Sequence, residues 1–283
     1  MFMSNPFAEL SAQIPVAVMQ GYIILMVLLV VGGTILDMMH KKSAKYFFLN
    51  AEKEKKNAKR HVGVGEKAAV AAKVLLVEVA TSGEFCNVRR RLSHLLTMWG
   101  TVIFVATTAI LILAYPTPAT PAPPILAQLW YIGALMLVVG GYWFWFFIRV
   151  DVSAEGLTWW RLERADLFIL SLLATATFAL IWSFSQYKGM AVWSTLFFIL
   201  FIGSSIVLFG GVYWSKFAHM FFKPAAAYQK RITRADGSRE DMPADYDPAD
   251  PEVQKRFPDL PEYLGTNPPN MGLGIRREKP SHY

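Results

Sequence analysis

The chain carries five histidines, His40, His61, His94, His219 and His282, and their surroundings sort them into two kinds. Three stand where long apolar runs meet polar sequence: His40 after the first run, His94 at the start of the second and His219 beyond the fifth. Neutral imidazole is a good ligand for iron. Two imidazoles at one depth on different helices can supply both axial ligands of a haem, one nitrogen to each face of the macrocycle. A histidine at a membrane boundary also serves as an anchor or helix cap, and for this pair the two readings stand level. His61, in a basic loop, and His282, near the C-terminus, read as solvated residues without a role. Cys86 is the single cysteine, so no intramolecular disulfide and no cysteine-ligated zinc or iron–sulfur site can be assembled from this chain alone.

The elements that must position these residues are membrane spans. Of the 283 residues 54% are apolar and 17% charged, and the two classes are segregated along the chain. A spanning helix needs roughly 20 mostly apolar residues, and such runs occur at about 15–37, 95–115, 127–149, 166–186 and 191–215. The expected fold is therefore all-α: a five-helix transmembrane bundle over 15–231, with a short segment 1–14 before it and a Pro-rich tail 232–283 after it. Met1 to Pro15 contains no Lys or Arg and so lacks the positive start of a signal peptide; the first run is read as a retained helix. Span ends carry residues that water–lipid boundaries select: Asp37 with His40-Lys41-Lys42, Tyr115, and the belt Tyr142-Trp143-Phe144-Trp145 with Arg149.

Charge sets the expected orientation. Segment 38–93 holds Lys41-Lys42, the cluster Lys53 to Arg60 and Arg89-Arg90-Arg91, whereas the 116–126 loop has no Lys or Arg and 187–190 only Lys188. Loop 38–93 is thus expected in the cytoplasm, with the N-terminus outside, the C-terminus inside and the chain in the cell inner membrane. The net charge of +7 accordingly reports topology and contact with anionic lipid; no basic-aromatic motif points to nucleic acid. The basic clusters read first as topology determinants and second as a docking surface for an acidic soluble protein. Within the loop, Glu66 to Ser82 is helix-forming but too short to cross. It is expected on the membrane surface or under a partner, or equally packed on the bundle's own cytoplasmic end. The proline-rich tail cannot bury a core of its own; it is a flexible extension or wraps a soluble partner.

Between their ends the spans contain no Asp, Glu, Lys or Arg, which disfavours an ion-coupled transporter. Their polar content is Ser and Thr, together with Gly140, Gly141, Gly203, Gly210 and Gly211. Such small residues favour close helix packing, and secondarily leave room for a flat cofactor. The tryptophans Trp143, Trp145, Trp159, Trp160, Trp193 and Trp214 fit an interfacial belt better than a quinone pocket.

Two motifs extend this reading. SGEFCNVRRRLSHLLTMWG, Ser82 to Gly100, resembles the start of a span in cytochrome b-like subunits of quinone-interacting membrane oxidoreductase complexes. YWSKFAHMFFKPAAAYQKR, Tyr213 to Arg231, is similar to the end of the last span in that group and in the gamma subunit of respiratory nitrate reductase, which also has five spans. Over roughly 66–231 the chain resembles most the adenylylsulfate reductase-associated membrane anchor proteins of sulfur-oxidising bacteria. The resemblance implies a cytochrome b / nitrate reductase gamma-like bundle, with His94 and His219 as ligands of one b-type haem and His40 as the alternative ligand. It further implies a membrane subunit, non-catalytic or quinone-reducing, that takes electrons from a cytoplasmic iron–sulfur flavoprotein such as adenylylsulfate reductase and delivers them to quinone. No second histidine pair occurs inside the spans, so at most one haem near the cytoplasmic face is expected, and no path across the membrane. A cofactor-free scaffold that recruits a soluble enzyme is the competing reading.

Overall fold

In a bilayer each backbone N–H and C=O has to find its partner within the protein, and apolar runs of this length do so as helices. The computed structural model describes residues 2–41, 43–83, 85, 87–151, 156–239 and 250–257. Its helices are α1 (Pro6–Leu10), α2 (Val16–Lys41), α3 (Ser43–Lys56), α4 (Val64–Lys73), α5 (Val88–Ala114), α6 (Pro124–Trp143), α7 (Leu167–Tyr187), α8 (Ala191–Gly210), α9 (His219–Asp236) and α10 (Pro251–Arg256). π turns extend α4 (Val74–Val79) and α6 (Phe144–Ile148), while 3-10 turns precede α7 (Arg164–Asp166) and follow α8 (Val212–Trp214). No strand occurs among the described residues. Most of the tail and His282 lie outside the described residues.

Five helical segments are long and apolar enough to cross a membrane: Val16–His40, Val88–Ala114, Pro124–Ile148, Arg164–Tyr187 and Ala191–Gly210. The second starts at Val88 rather than near 95, because the Asn87 side chain accepts the backbone N–H of Arg89 and Arg90 and begins the helix within its polar turn. The fifth stops at Gly210, where the chain turns so that Val212 can fill the space beside Gly33 on α2.

Glycine determines how closely α5, α6 and α7 approach. A Cβ on Gly100 of α5 would lie 2.6 Å from the Leu137 amide nitrogen of α6. One on Gly133 would lie 2.7 Å from Phe104 N, and one on Gly140 would lie 2.8 Å from Ser93 O. Ser93 Oγ donates to the Gly140 carbonyl at 2.8 Å in the same seam. The neighbouring Gly141 faces the other way, and its added Cβ would meet Leu173 of α7 at 2.5 Å. Backbones this near gain dispersion contacts that no larger residue permits, the usual means of helix association in lipid. Polar pairs complete the bundle: Tyr142 with Thr177 at 3.1 Å between α6 and α7, Tyr131 with Ser183 along the same pair, and Tyr22 of α2 with Ser205 of α8 at 2.7 Å. Helix α2 is peripheral, and Leu25, Val27, Leu28, Val31, Ile35 and Leu36 on it stay exposed.

One end of the bundle is closed by the N-terminal segment. α1 inserts Phe7 between Trp130 and Trp182, with ring centroids 5.6 and 5.4 Å away, while Asn5 donates to the Tyr115 carbonyl at 2.7 Å. Gln186 holds α1 from the other side through Pro6 O at 3.0 Å and Glu9 Oε2 at 2.8 Å.

The opposite end bears the basic loop, and two charges assigned to its interface by sequence are in fact buried. Asp37 is buried on α2. Arg149, 0% exposed, donates to the carbonyls of Thr158 and Arg161 at 2.7 Å each and to Asp166 Oδ2 at 2.5 Å, with its guanidinium 4.2 Å from the Trp145 ring centroid. The planar guanidinium thereby ties the end of α6 to the start of α7 and gathers the chain between them.

Two stability outcomes follow from these contacts. Gly100→Leu should destabilise the bundle by about 1–3 kcal/mol or more through overpacking, whereas Gly203→Ala, with nothing within 4 Å of its added Cβ, should leave it unchanged. Arg149→Met should remove about 3–5 kcal/mol by leaving Asp166 without its cation. Thermal unfolding in detergent, followed by size-exclusion chromatography, measures both; a Gly100→Leu protein as stable as wild type would dismiss the close-packed seam.

Candidate functional site

All three boundary histidines lie at the basic end, and each rests on an aromatic ring of its own. His94, half-buried on the second turn of α5, packs against Phe85 at 4.9 Å between centroids. His219, exposed at the first residue of α9, meets Phe168 edge-on at 6.2 Å, and His40 meets Tyr213 edge-on at 5.6 Å. His61 is exposed in the loop before α4.

The direction of His94 is determined by its neighbour in sequence. Ser93 faces α6 in the glycine seam, so the next residue, about 100° around the helix, is turned towards the chain that precedes α5. There the Ser82 hydroxyl lies 2.8 Å from His94 Nδ1. Ser82 is itself buried and has a φ of 49°, a left-handed conformation that non-glycine residues seldom adopt. Around it Arg91 donates to the Thr81 carbonyl at 2.8 Å, and Trp99 Nε1 to the Ala80 carbonyl at 3.0 Å. Phe85 has Arg90 and Lys223 over its ring, each 5.5 Å from the centroid, and so links the start of α5 to α9.

Arg89, Arg90 and Arg91 stand at the N-terminus of α5 with no acidic residue in its first turn, an arrangement the helix dipole disfavours. Neighbouring carbonyls and the Phe85 ring offset that charge at Arg90 and Arg91. The two motifs read from sequence contain Ser82, Phe85 and Lys223 as well as His94, but not the contacts that bring Ser82 and Phe85 to His94 and Lys223 to Phe85. The Ser82-Gly83 pair after an apolar helix was the available signal for a tight reversal there.

The basic loop folds against α9 of the same chain. Glu78 at the end of the π turn is ion-paired with Arg231, and Glu54 on α3 accepts from Gln229 at 2.7 Å. The loop backbone caps the end of α9, with Lys59 N and Arg60 N donating to the Asp236 carbonyl at 2.9 and 3.1 Å. Arg60 also pairs with Glu66, and that hydrogen bond holds the Glu66 carboxyl below its ordinary range. Of the placements expected for Glu66 to Ser82, the structure includes packing on the chain's own polar end, through α9.

Whether a haem suits these residues is a question of donors and of room. His219 Nδ1 lies against the Lys216 carbonyl, which can only accept, so Nδ1 carries the proton and Nε2 the lone pair. At His94 the partner of Nδ1 is the Ser82 hydroxyl, which can donate or accept, so that contact is compatible with either tautomer. Ligating histidines characteristically donate Nδ1–H to an oxygen, so the donor chemistry at His219 suits iron, and that at His94 does so in the tautomer in which Ser82 accepts. Room is another matter. Of the glycines considered as space for a flat cofactor, Gly140 and Gly141 on α6 are closed by the neighbouring helices, whereas Gly203 and Gly210 on α8 meet nothing within 4 Å. Among the described residues no group of three or more His, Cys, Asp or Glu could hold a bare metal ion. No family model, curated protein or solved structure matches this chain.

The ion pair between the loop and α9 predicts a charge-swap outcome. Glu78→Arg should loosen the loop from α9 and increase proteolysis of the 57–83 segment, and combination with Arg231→Glu should restore protection. Equal digestion rates for wild type and Glu78→Arg would show that the pair does not hold the loop.

Proposed function

We propose that the chain is the membrane-anchor electron-transfer subunit of an oxidoreductase complex. A cytoplasmic flavin and iron–sulfur enzyme of the adenylylsulfate reductase type docks on the basic end, and its electrons pass to membrane quinone. One b-type haem is held by His94 and His219. The observation that carries this reading is the pair of imidazoles at one end of the bundle, each with Nδ1 engaged by an oxygen and each within one of the two cytochrome b-like motifs. Charge asymmetry supports a location in the cell inner membrane with the basic end in the cytoplasm.

Haem of this type, when bound, takes up and releases single electrons. The chain's own contribution is positional. Ser82 and the Lys216 carbonyl orient the two rings, Phe85 excludes water from one face of His94, and exposed Arg89 and neighbouring cations attract an acidic partner. Bond chemistry on the substrate belongs to the partner, and His40, resting on Tyr213, is the alternative ligand.

A second reading, the cofactor-free scaffold, is favoured by the closed glycines and by the Ser82 and Phe85 contacts that give His94 a structural role. An optical spectrum of protein from haem-replete expression separates the two. The electron-transfer reading requires a reduced b-type band that His94→Ala and His219→Ala each abolish and His40→Ala leaves intact. A bandless wild-type protein that still retains its soluble partner on an affinity column would establish the scaffold instead.

A further inference from the structure

The segment between α3 and α5 ends deeper in the bundle than its polar composition implies. Ala80, Thr81 and Ser82 are bonded to Trp99, Arg91 and His94, which span the first four turns of α5. From Val88 to Trp99 that helix advances about 16 Å. Long helical side chains lean back towards the N-terminus by about a turn, and even so the π turn stops alongside the span, not above it. On this stretch α5 exposes Leu92, Trp99 and Val102, the kind of surface a span offers to lipid.

The π turn presents Leu75, Leu76 and Val77, exposed to 57%, 66% and 42%, and the chain that leaves it meets that surface where Trp99 bonds the Ala80 carbonyl. Its widened winding, with Ala80 N donating to Leu75 O at 2.9 Å, directs Val74 and Glu78 inward and leaves these three on one outer edge. The other end of the helix is polar: Glu66 is held by Arg60, which also bonds the Ala235 carbonyl at the end of α9. Exposed Lys67 and Lys73 lie between. On the outer face polarity therefore falls along the helix from Val64 to Val77, while Glu78 is turned inward to Arg231.

We infer that residues 64–79 form a half-inserted interfacial helix, whose Leu75, Leu76 and Val77 sit among the acyl chains of the leaflet on the basic side. Lys67 and Lys73 lie at the level of its anionic headgroups. Lipid is the occupant because the apolar edge leads directly to Ala80, whose carbonyl is bonded by Trp99, an interfacial residue type on the exposed apolar face of α5. The loop is thereby gripped from two sides, by α9 within the protein and by lipid outside it. Nothing in this inference depends on haem or on a soluble partner.

Spin labels placed singly at Leu75→Cys, Leu76→Cys and Val64→Cys in a Cys86→Ser background test it. The protein is reconstituted into vesicles of phosphatidylcholine and phosphatidylglycerol without any partner. Labels at 75 and 76 should collide with oxygen in preference to a water-soluble nickel chelate, with a ratio several-fold above that of the label at 64. Chelate access at both 75 and 76 equal to that at 64 would overturn the inference, and would leave the edge as a surface for a soluble protein. The two sites are read independently, so one variant that fails to fold leaves the other to decide.

Discussion

The close contact of α5 with α6 is the constraint on which the rest of the structure depends. Because Gly100, Gly133 and Gly140 leave no space for a side chain at the seam, the two helices have one register and one rotation. That rotation turns Ser93 to α6 and His94 to Ser82. It also divides the labour of adjacent glycines, Gly140 towards α5 and Gly141 towards α7, so that a single pair of residues sets two interfaces. A slip of one residue in α5 would move His94 about 100° around the helix and away from the turn that orients it.

Charge is handled differently at the two ends. At the α1 end almost none is present, and the bundle is closed by aromatic packing around Phe7 with a few amide contacts. At the basic end, guanidinium groups are spent on carbonyls: Arg149 on Thr158 and Arg161, Arg91 on Thr81, Arg60 on Ala235. Arginine suits this work because its donors are fixed in a plane and its charge is weakly hydrated. A buried ion pair such as Arg149 with Asp166 is weak support for stability in itself. Its effect is conformational, since the chain from α6 to α7 could not be gathered at that point without it.

The same end holds every residue that the proposed electron transfer needs. Ser82 joins two properties seldom found together, a left-handed backbone in a residue other than glycine and a hydrogen bond to the half-buried imidazole. Such strain persists only where surrounding contacts over-determine it, and here they are the bonds to α5 of Ala80 and Thr81, the two residues before it. Under both functional readings this turn keeps His94 in one orientation; they differ in whether the imidazole serves iron or only the fold.

The sequence by itself determined the all-helical class, the existence of five candidate spans and which end of them is basic, because bilayer thickness and charge placement act on composition over 20-residue windows and need no knowledge of contacts. It also identified small residues as sites of close packing, and Gly140 and Gly141 are such sites. Tertiary structure alone decided which of these were closed and that Gly203 is not, since the answer depends on the helix opposite. Arg149 read as an interfacial anchor because nothing local distinguishes a snorkelling arginine from one whose acceptors, Thr158, Arg161 and Asp166, come from the following loop. The docking of Glu78 on Arg231 and of Phe85 beneath Lys223 likewise joins residues far apart in the chain. Hydropathy is a sum over neighbours in sequence, whereas the surroundings of His94 are a product of helix register, and only the folded chain brings those together.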